Sequence, residues 1–160
     1  MNSFSDNIVS WYKENGRHDL PWRKSISPYS VWISEIMLQQ TQVKTVIPYF
    51  NKFIEKYPNL DALLKASEDE ILAQWSGLGF YRRAKNIYKA CRVIRETFNN
   101  KLPTNIKDLE SLPGIGRSTA GAIMSIAFNE GHPILDANVK RVLGRYKKIS
   151  FKTENEKQKK

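Results

Sequence analysis

An all-α fold is predicted by three observations. Apolar residues recur at steps of three and four along almost the whole chain, and no segment sustains the alternation that a half-buried strand needs. A turn with two glycines, Gly114 and Gly116, also falls between a short helix and a longer one. At 160 residues the chain suffices for one substantial domain with its own core and is short for two.

Taken in order, Phe4, Ile8, Trp11 and Tyr12 make one face of a first helix. Pro28 introduces a second, from Tyr29 to Leu38, since proline is tolerated in a first turn whose N–H groups lack partners anyway. Val43, Val46, Ile47, Phe50, Phe53, Ile54 and Tyr57 mark a third, which Pro48 should kink or delay. Two short helices follow, over about Leu60 to Ala66 and Glu70 to Trp75. Phe80, Ala84, Ile87, Cys91, Ile94 and Phe98 then repeat at alternating steps of four and three, with Arg82, Arg83, Lys85, Lys89 and Arg92 on the remaining surface. Helices from about Ser118 to Phe128 and from Asp136 to Tyr146 complete the series. The last ten residues carry no packing pattern and read as the exposed beginning of a further helix, as a truncation would leave it.

Lys and Arg number 26 against 16 Asp and Glu, a formal charge of +10. Such an excess favours a polyanionic partner, nucleic acid first, through phosphate neutralisation and counterion release. The tail residues Lys157, Lys159 and Lys160 account for part of it and say little about a binding face. The single cysteine, Cys91, falls on the apolar side of its helix, so a core position is expected and no disulfide framework or four-thiolate metal site can be built. The N-terminus mixes apolar with charged residues and apolar runs are short; neither signal peptide nor membrane span is expected, and a cytoplasmic protein fits.

Three segments carry candidate chemistry. Leu112-Pro113-Gly114-Ile115-Gly116-Arg117-Ser118 reads as a helix–hairpin–helix, whose glycines let the backbone turn tightly and whose following helix offers N–H groups to a phosphate. An ordinary corner between two helices would use the same residues, and the basic charge tips the reading toward DNA. Asp136 stands where a helix should begin, before Ala137, Asn138, Val139 and Lys140. Alone, it reads as an N-cap; a carboxylate so held at the positive end of a helix dipole is also what stabilises a cationic transition state. Glu35 is the one carboxylate in an otherwise apolar helix, and Gln39, Gln40, Thr41 and Gln42 follow at once. Such a carboxylate either faces solvent on a polar stripe or is buried enough to favour its protonated form, the condition for a general acid near neutral pH. The amide run is either a polar helix end or a set of donors and acceptors for a base opposite a flipped nucleotide.

These segments, with Leu20-Pro21-Trp22-Arg23, Thr45-Val46-Ile47-Pro48-Tyr49-Phe50 and Gly77-Leu78-Gly79-Phe80-Tyr81, stand in one order over almost the whole chain. In that order and spacing the sequence resembles the helix–hairpin–helix DNA glycosylase superfamily and, within it, the MutY-type adenine glycosylases. The resemblance implies a six-helix barrel domain and excision of adenine mispaired with 8-oxoguanine or guanine in double-stranded DNA, by an enzyme that flips the base into a pocket. By resemblance Glu35 would protonate the adenine ring nitrogen and help manage water, and Asp136 would stabilise the oxocarbenium sugar or bond to it. That division of labour is the two-carboxylate logic of glycoside hydrolysis. Trp22 and Arg23 match adenine-pocket positions. Gln39, Gln40, Thr41 and Leu78 match positions near 8-oxoguanine and the opened stack. Gly114, Gly116 and Ser118 match the phosphate-gripping hairpin; Lys140 reads as a phosphate contact, or as an amine able to react adventitiously with an abasic site.

Two departures matter. Phe80 stands where the family usually wedges a Tyr, keeping the stacking face and losing the hydroxyl. Ser118 stands where the related endonuclease III-like glycosylase-lyases carry a lysine nucleophile, which implies a monofunctional hydrolase. Family members also bind a [4Fe–4S] cluster through four cysteines, which Cys91 alone cannot supply, so this chain is expected to lack it. The resemblance divides the chain into an N-terminal helix (1–15) that packs on a second lobe, the barrel (16–130, hairpin at 112–121), and the start of that lobe (131–160). It further implies a monomer working at the bacterial nucleoid. A DNA-binding fragment without catalysis and a glycosylase-lyase stand as the alternative functions.

Overall fold

Ser27 and Pro28 begin the helix around which the others assemble. In the computed structural model, which describes residues 3–149, the serine hydroxyl accepts from the Ser30 amide while the Ser30 side chain accepts from the Ser27 amide, and Pro28 fills the first helical position. That helix is α3 (Pro28–Leu38), preceded by α1 (Phe4–Asn15) and α2 (Pro21–Lys24). After it come α4 (Val43–Lys56), α5 (Leu60–Leu64), α6 (Glu68–Trp75), α7 (Arg82–Thr97), α8 (Ile106–Ser111), α9 (Arg117–Ala127) and α10 (Ala137–Lys147). Every regular element among the described residues is an α-helix, as expected, and none is long and apolar enough to cross a membrane.

Eight residues of α3 are buried, Tyr29 through Ser34 with Ile36 and Met37, so this helix is enclosed on nearly all sides. It lies against α4 and α9, and α2 closes on α3 and α4. α6 packs on α4 and α7, α5 on α7, and α8 on α9. Aromatic edges tie these layers: Trp22 meets Phe50 with ring centroids 5.3 Å apart, and Phe53 meets Trp75 at 6.3 Å. The Tyr29 hydroxyl donates to the Tyr57 carbonyl at 2.7 Å, fixing the start of α3 to the end of α4.

The helix starts have visible causes. Capping boxes at Ser3 and Asp6 and at Ser67 and Glu70 satisfy amides that would otherwise lack partners, each cap being worth about 1 kcal/mol. Pro48 neither delays nor ends α4, which already runs from Val43; its ring removes one backbone donor and the helix continues around Phe50 and Phe53. The four-residue α2 escapes sequence periodicity because it is a single turn.

Two expectations about α7 need correction. Phe80 does not begin its apolar stripe: it precedes the helix with φ of 50° and is 55% exposed. Arg83 is not on the remaining surface but buried at 7% exposure. Positions 83, 87, 90 and 94 follow one another at steps of four, three and four, which puts the arginine on the core face with Ile87, Ala90 and Ile94. Cys91 lies in the core as expected. The helix start read from the last ten residues lies outside the described residues.

Candidate active site

The carboxylate-bearing segment 129–136 is anchored before it delivers its acid. The Ser125 hydroxyl accepts from the His132 amide at 3.1 Å and donates to the His132 carbonyl at 3.4 Å. Gly121 admits the segment closely: a Cβ there would stand 3.3 Å from Ile134 Cγ1 and 3.6 Å from the His132 side chain. The chain then reaches Asp136, which caps α10 and accepts from the Val139 amide at 2.7 Å. The capping role expected of this residue is thus present, and its carboxylate also opens on a cavity.

That cavity, of about 480 Å³, lies between the end of α3 and the N-termini of α9 and α10. Glu35 and Asp136 both line it, with Gln39, Gln40, Thr41 and Ser118. Glu35 is half-buried on the otherwise enclosed α3. Burial raises its carboxyl pKa above the usual range, and the nearby Asp136 carboxylate raises it further. The two carboxyl groups of this cavity therefore have different surroundings: Glu35 sits in an apolar wall that favours its proton, and Asp136 is exposed at a helix cap.

The hairpin forms the next wall. Leu112 caps the end of α8, Gly114 turns with φ of 84°, Ile115 plugs into the core, and Gly116 is the N-cap of α9, with no side chain to cap it. The first amides of α9 thus stay available beside exposed Ser118. A Cβ at Gly114 would come within 2.8 Å of Asn86, so the turn lies directly on α7. Gln39 joins hairpin to α3, donating from Nε2 to the Gly114 carbonyl and the Thr119 hydroxyl, each at 3.4 Å.

A second cavity of about 450 Å³ adjoins the first across Gln39 and Gln40 and is lined on its other side by Phe80, Tyr81 and Asn86. Gln40 and Phe80 both have left-handed backbones, with φ of 56° and 50°. Leu78 is buried, and Lys140 is exposed on α10. Trp22 and Arg23 do not line either cavity: Trp22 is in the core against Phe50, and exposed Arg23 donates to the Tyr12 hydroxyl. Arg83, which the sequence reading left on the surface, holds the loop that ends α3, donating to the Met37 and Gln39 carbonyls at 2.6 Å each.

Among the described residues no group of three or more His, Cys, Asp or Glu could hold a metal. The one thiol, Cys91, is in the core, and burial pushes it up to about 12. These residues do not fit a four-thiolate iron–sulfur cluster.

The chain belongs to the HhH-GPD superfamily of base excision DNA repair proteins, whose family model matches residues 33–160. Within that class it is similar to adenine DNA glycosylases. Identity to the one from Buchnera aphidicola subsp. Schizaphis graminum is 57% over 143 residues, covering 89% of this chain and 41% of that protein. Identity to the one from Rattus norvegicus is 43% over 158 residues, covering 93% of this chain and 30% of that protein. The chain thus spans well under half the length of these curated relatives. Among solved structures, a thermostable thymine-DNA glycosylase superposes with a TM-score of 0.81 at 32% identity, over 88% of this chain and 65% of that one. A trapped endonuclease III–DNA covalent intermediate superposes at 0.74 and 25% identity, over 86% and 63%. The helix–hairpin–helix glycosylase fold expected from the sequence is the fold observed.

Proposed function

We propose that the chain carries the base-excision chemistry of a monofunctional adenine DNA glycosylase, hydrolysing the N-glycosidic bond of adenine opposite 8-oxoguanine or guanine in duplex DNA. The observation that carries this reading is the shared cavity of Glu35 and Asp136, in which burial favours the proton of Glu35. The similarity to adenine glycosylases supports the choice of base.

In this reading the flipped adenine enters between the end of α3 and the start of α10. Glu35 delivers its proton to an adenine ring nitrogen, the C1′–N9 bond breaks, and its electron pair leaves with the base. Positive charge develops on the sugar facing Asp136, whose carboxylate is held in place by the Val139 amide. Water then adds to C1′, and its proton returns to the carboxylate of Glu35. Ser118, at the mouth of the cavity, offers a hydroxyl and no amine, so no Schiff base forms there to cleave the strand. The uncapped start of α9 at Gly116, with Gly114, grips backbone phosphates, and Lys140 adds a further phosphate contact. Gln40, Thr41, Leu78 and Phe80 serve the opposite strand, and Trp22 and Arg23, outside the cavity, act on the adenine side only through the packing of α2 on α3 and α4. Domain roles follow the same reading: α1 belongs with α10 to a second lobe, supported by the Phe4 ring stacked on Tyr146 at 4.0 Å. The enzyme works as a monomer on the bacterial nucleoid.

The test is a single-turnover assay on duplexes containing adenine opposite 8-oxoguanine, with and without alkali, comparing the parent with Glu35→Gln. Strand breaks that require alkali and that only the parent yields are expected. Breaks without alkali would support a glycosylase-lyase, and binding without breaks by either chain would leave a DNA-binding module.

A further inference from the structure

Arg83 is unusual among the basic residues of α7 in pointing inward. Its Nη1 donates to three acceptors at the end of α3, the carbonyls of Ile36 at 3.1 Å, Met37 at 2.6 Å and Gln39 at 2.6 Å. Its Nη2 donates to the Gly79 carbonyl at 3.2 Å, an oxygen that also accepts from Trp75 Nε1 at 3.1 Å. The guanidinium carbon lies over the Phe80 and Trp75 rings, 5.2 and 5.4 Å from their centroids. One side chain therefore ties the Gln39–Gln40 loop to the Gly79–Phe80 loop. Each of those loops holds a non-glycine residue at positive φ, Gln40 and Phe80, and both face the 450 Å³ cavity. Left-handed backbone at such residues costs free energy and persists only where surrounding contacts enforce it.

A purely stabilising role accounts poorly for this arrangement. The guanidinium is buried with Nε lacking a partner, a cost that an apolar residue on the core face of α7 would avoid. The four carbonyl bonds instead fix positions: planar, forked donors meet several oxygens at once beside two aromatic rings, which an ammonium does not reproduce. The chain of contacts continues beyond the loops, because Gln39, whose carbonyl Arg83 holds, reaches the hairpin through Gly114 and Thr119.

The geometry points to Arg83 as the positioning residue that sets the Phe80 ring and Gln40 as one unit for insertion into the opened duplex, so that discrimination of a disrupted base pair from an intact one depends on its guanidinium. This rests on the proposed glycosylase reading and deepens it. Arg83 touches no DNA in this scheme; it acts through Phe80.

The test is a double-mutant cycle of Arg83→Lys and Phe80→Ala. Binding is measured on a duplex carrying a stable tetrahydrofuran abasic site and on the same duplex intact, with 2-aminopurine opposite the abasic site reporting unstacking. Arg83→Lys is expected to cut the preference for the abasic duplex about tenfold and to dampen the 2-aminopurine rise, leaving intact-duplex affinity within about threefold. In the Phe80→Ala background the same change should add little, since its effect runs through the ring. Independent, multiplying effects of the two substitutions would overturn the proposal, as would an unchanged preference in Arg83→Lys. If Arg83→Lys melts below the assay temperature, Arg83→Gln, which keeps two donors, is judged by the same criteria. A parent chain with no preference for the abasic duplex would overturn the glycosylase reading together with this one, whereas a discriminating parent and an Arg83→Lys variant that discriminates as well as the parent overturn the positioning role alone.

Discussion

α3 and α10 face each other across the same cavity and are opposite in construction. α3 has eight buried residues and lies between α4 and α9, while α10 has no buried residue and leaves Val142 and Tyr146 exposed. Each contributes one carboxyl group. Glu35 takes its properties from the apolar wall around it, and Asp136 takes its orientation from a single hydrogen bond to its own helix. The carboxyl group on α3 is thus tuned by tertiary packing and the one on α10 is held by local capping, so the two should respond differently to the same kinds of change.

The largest contrast is expected in chemistry. Glu35→Gln removes the transferable proton and should lower the single-turnover excision rate by about 10³-fold, with duplex affinity retained. Asp136→Asn keeps an N-cap side chain and removes the charge, so the rate should fall by about 10²- to 10³-fold while the far-ultraviolet helix signal is unchanged. Equal activity of the asparagine variant and the parent would show that Asp136 is only a cap. Stability should separate the two helices as sharply. Ile33→Ala, in the fully buried part of α3, should cost about 2–5 kcal/mol in urea unfolding, whereas Val142→Ala, 46% exposed, should stay within about 0.5 kcal/mol. A smaller effect belongs to the segment that carries Asp136 to its place. Gly121→Val would push on Ile134 and His132 and should cost about 1–3 kcal/mol while also slowing excision, because the displaced segment ends in the carboxylate. Lost stability with an unchanged rate would uncouple Gly121 from the site.

The same contrast explains what could be read from the sequence. Glu35, Gln39, Gln40, Thr41, Ser118 and Asp136 were all named from motifs, and one cavity gathers them. They lie at helix ends, where capping residues and glycine turns are written locally. Trp22 and Arg23 lie outside it because the short α2 buries the tryptophan against Phe50, a packing choice that no spacing rule reveals. Arg83 was misplaced for a related reason. Its charge argued for surface, while its step of four before Ile87 argued for core, and the acceptors that decide the matter come from residues 36–39 and 79. Phe80 was drawn into the α7 stripe because periodicity does not register a left-handed backbone just before a helix.

The finest test of the comparison is thermodynamic and needs no DNA. Burial raises the Glu35 carboxyl above its unfolded value, so the folded chain holds this proton more tightly than the unfolded one. Its contribution to stability is fully present below the unfolded pKa, about 4.3, and is lost as pH rises through the higher folded value. Above the unfolded value, keeping this carboxyl in the α3 wall therefore costs stability, and the Asp136 charge adds to the cost. Glu35→Gln, uncharged at every pH, should raise the thermal midpoint at pH 7 to 8, and the gain should shrink to nothing on acidification toward pH 4. Asp136→Asn should act on the same titration from the other side: with the neighbouring charge removed, part of the pH dependence disappears although Glu35 is untouched. A Glu35→Gln midpoint that tracks the parent at every pH would mean that the carboxyl is as well solvated in the folded chain as in the unfolded one, and the inequality on which the acid assignment depends would be gone.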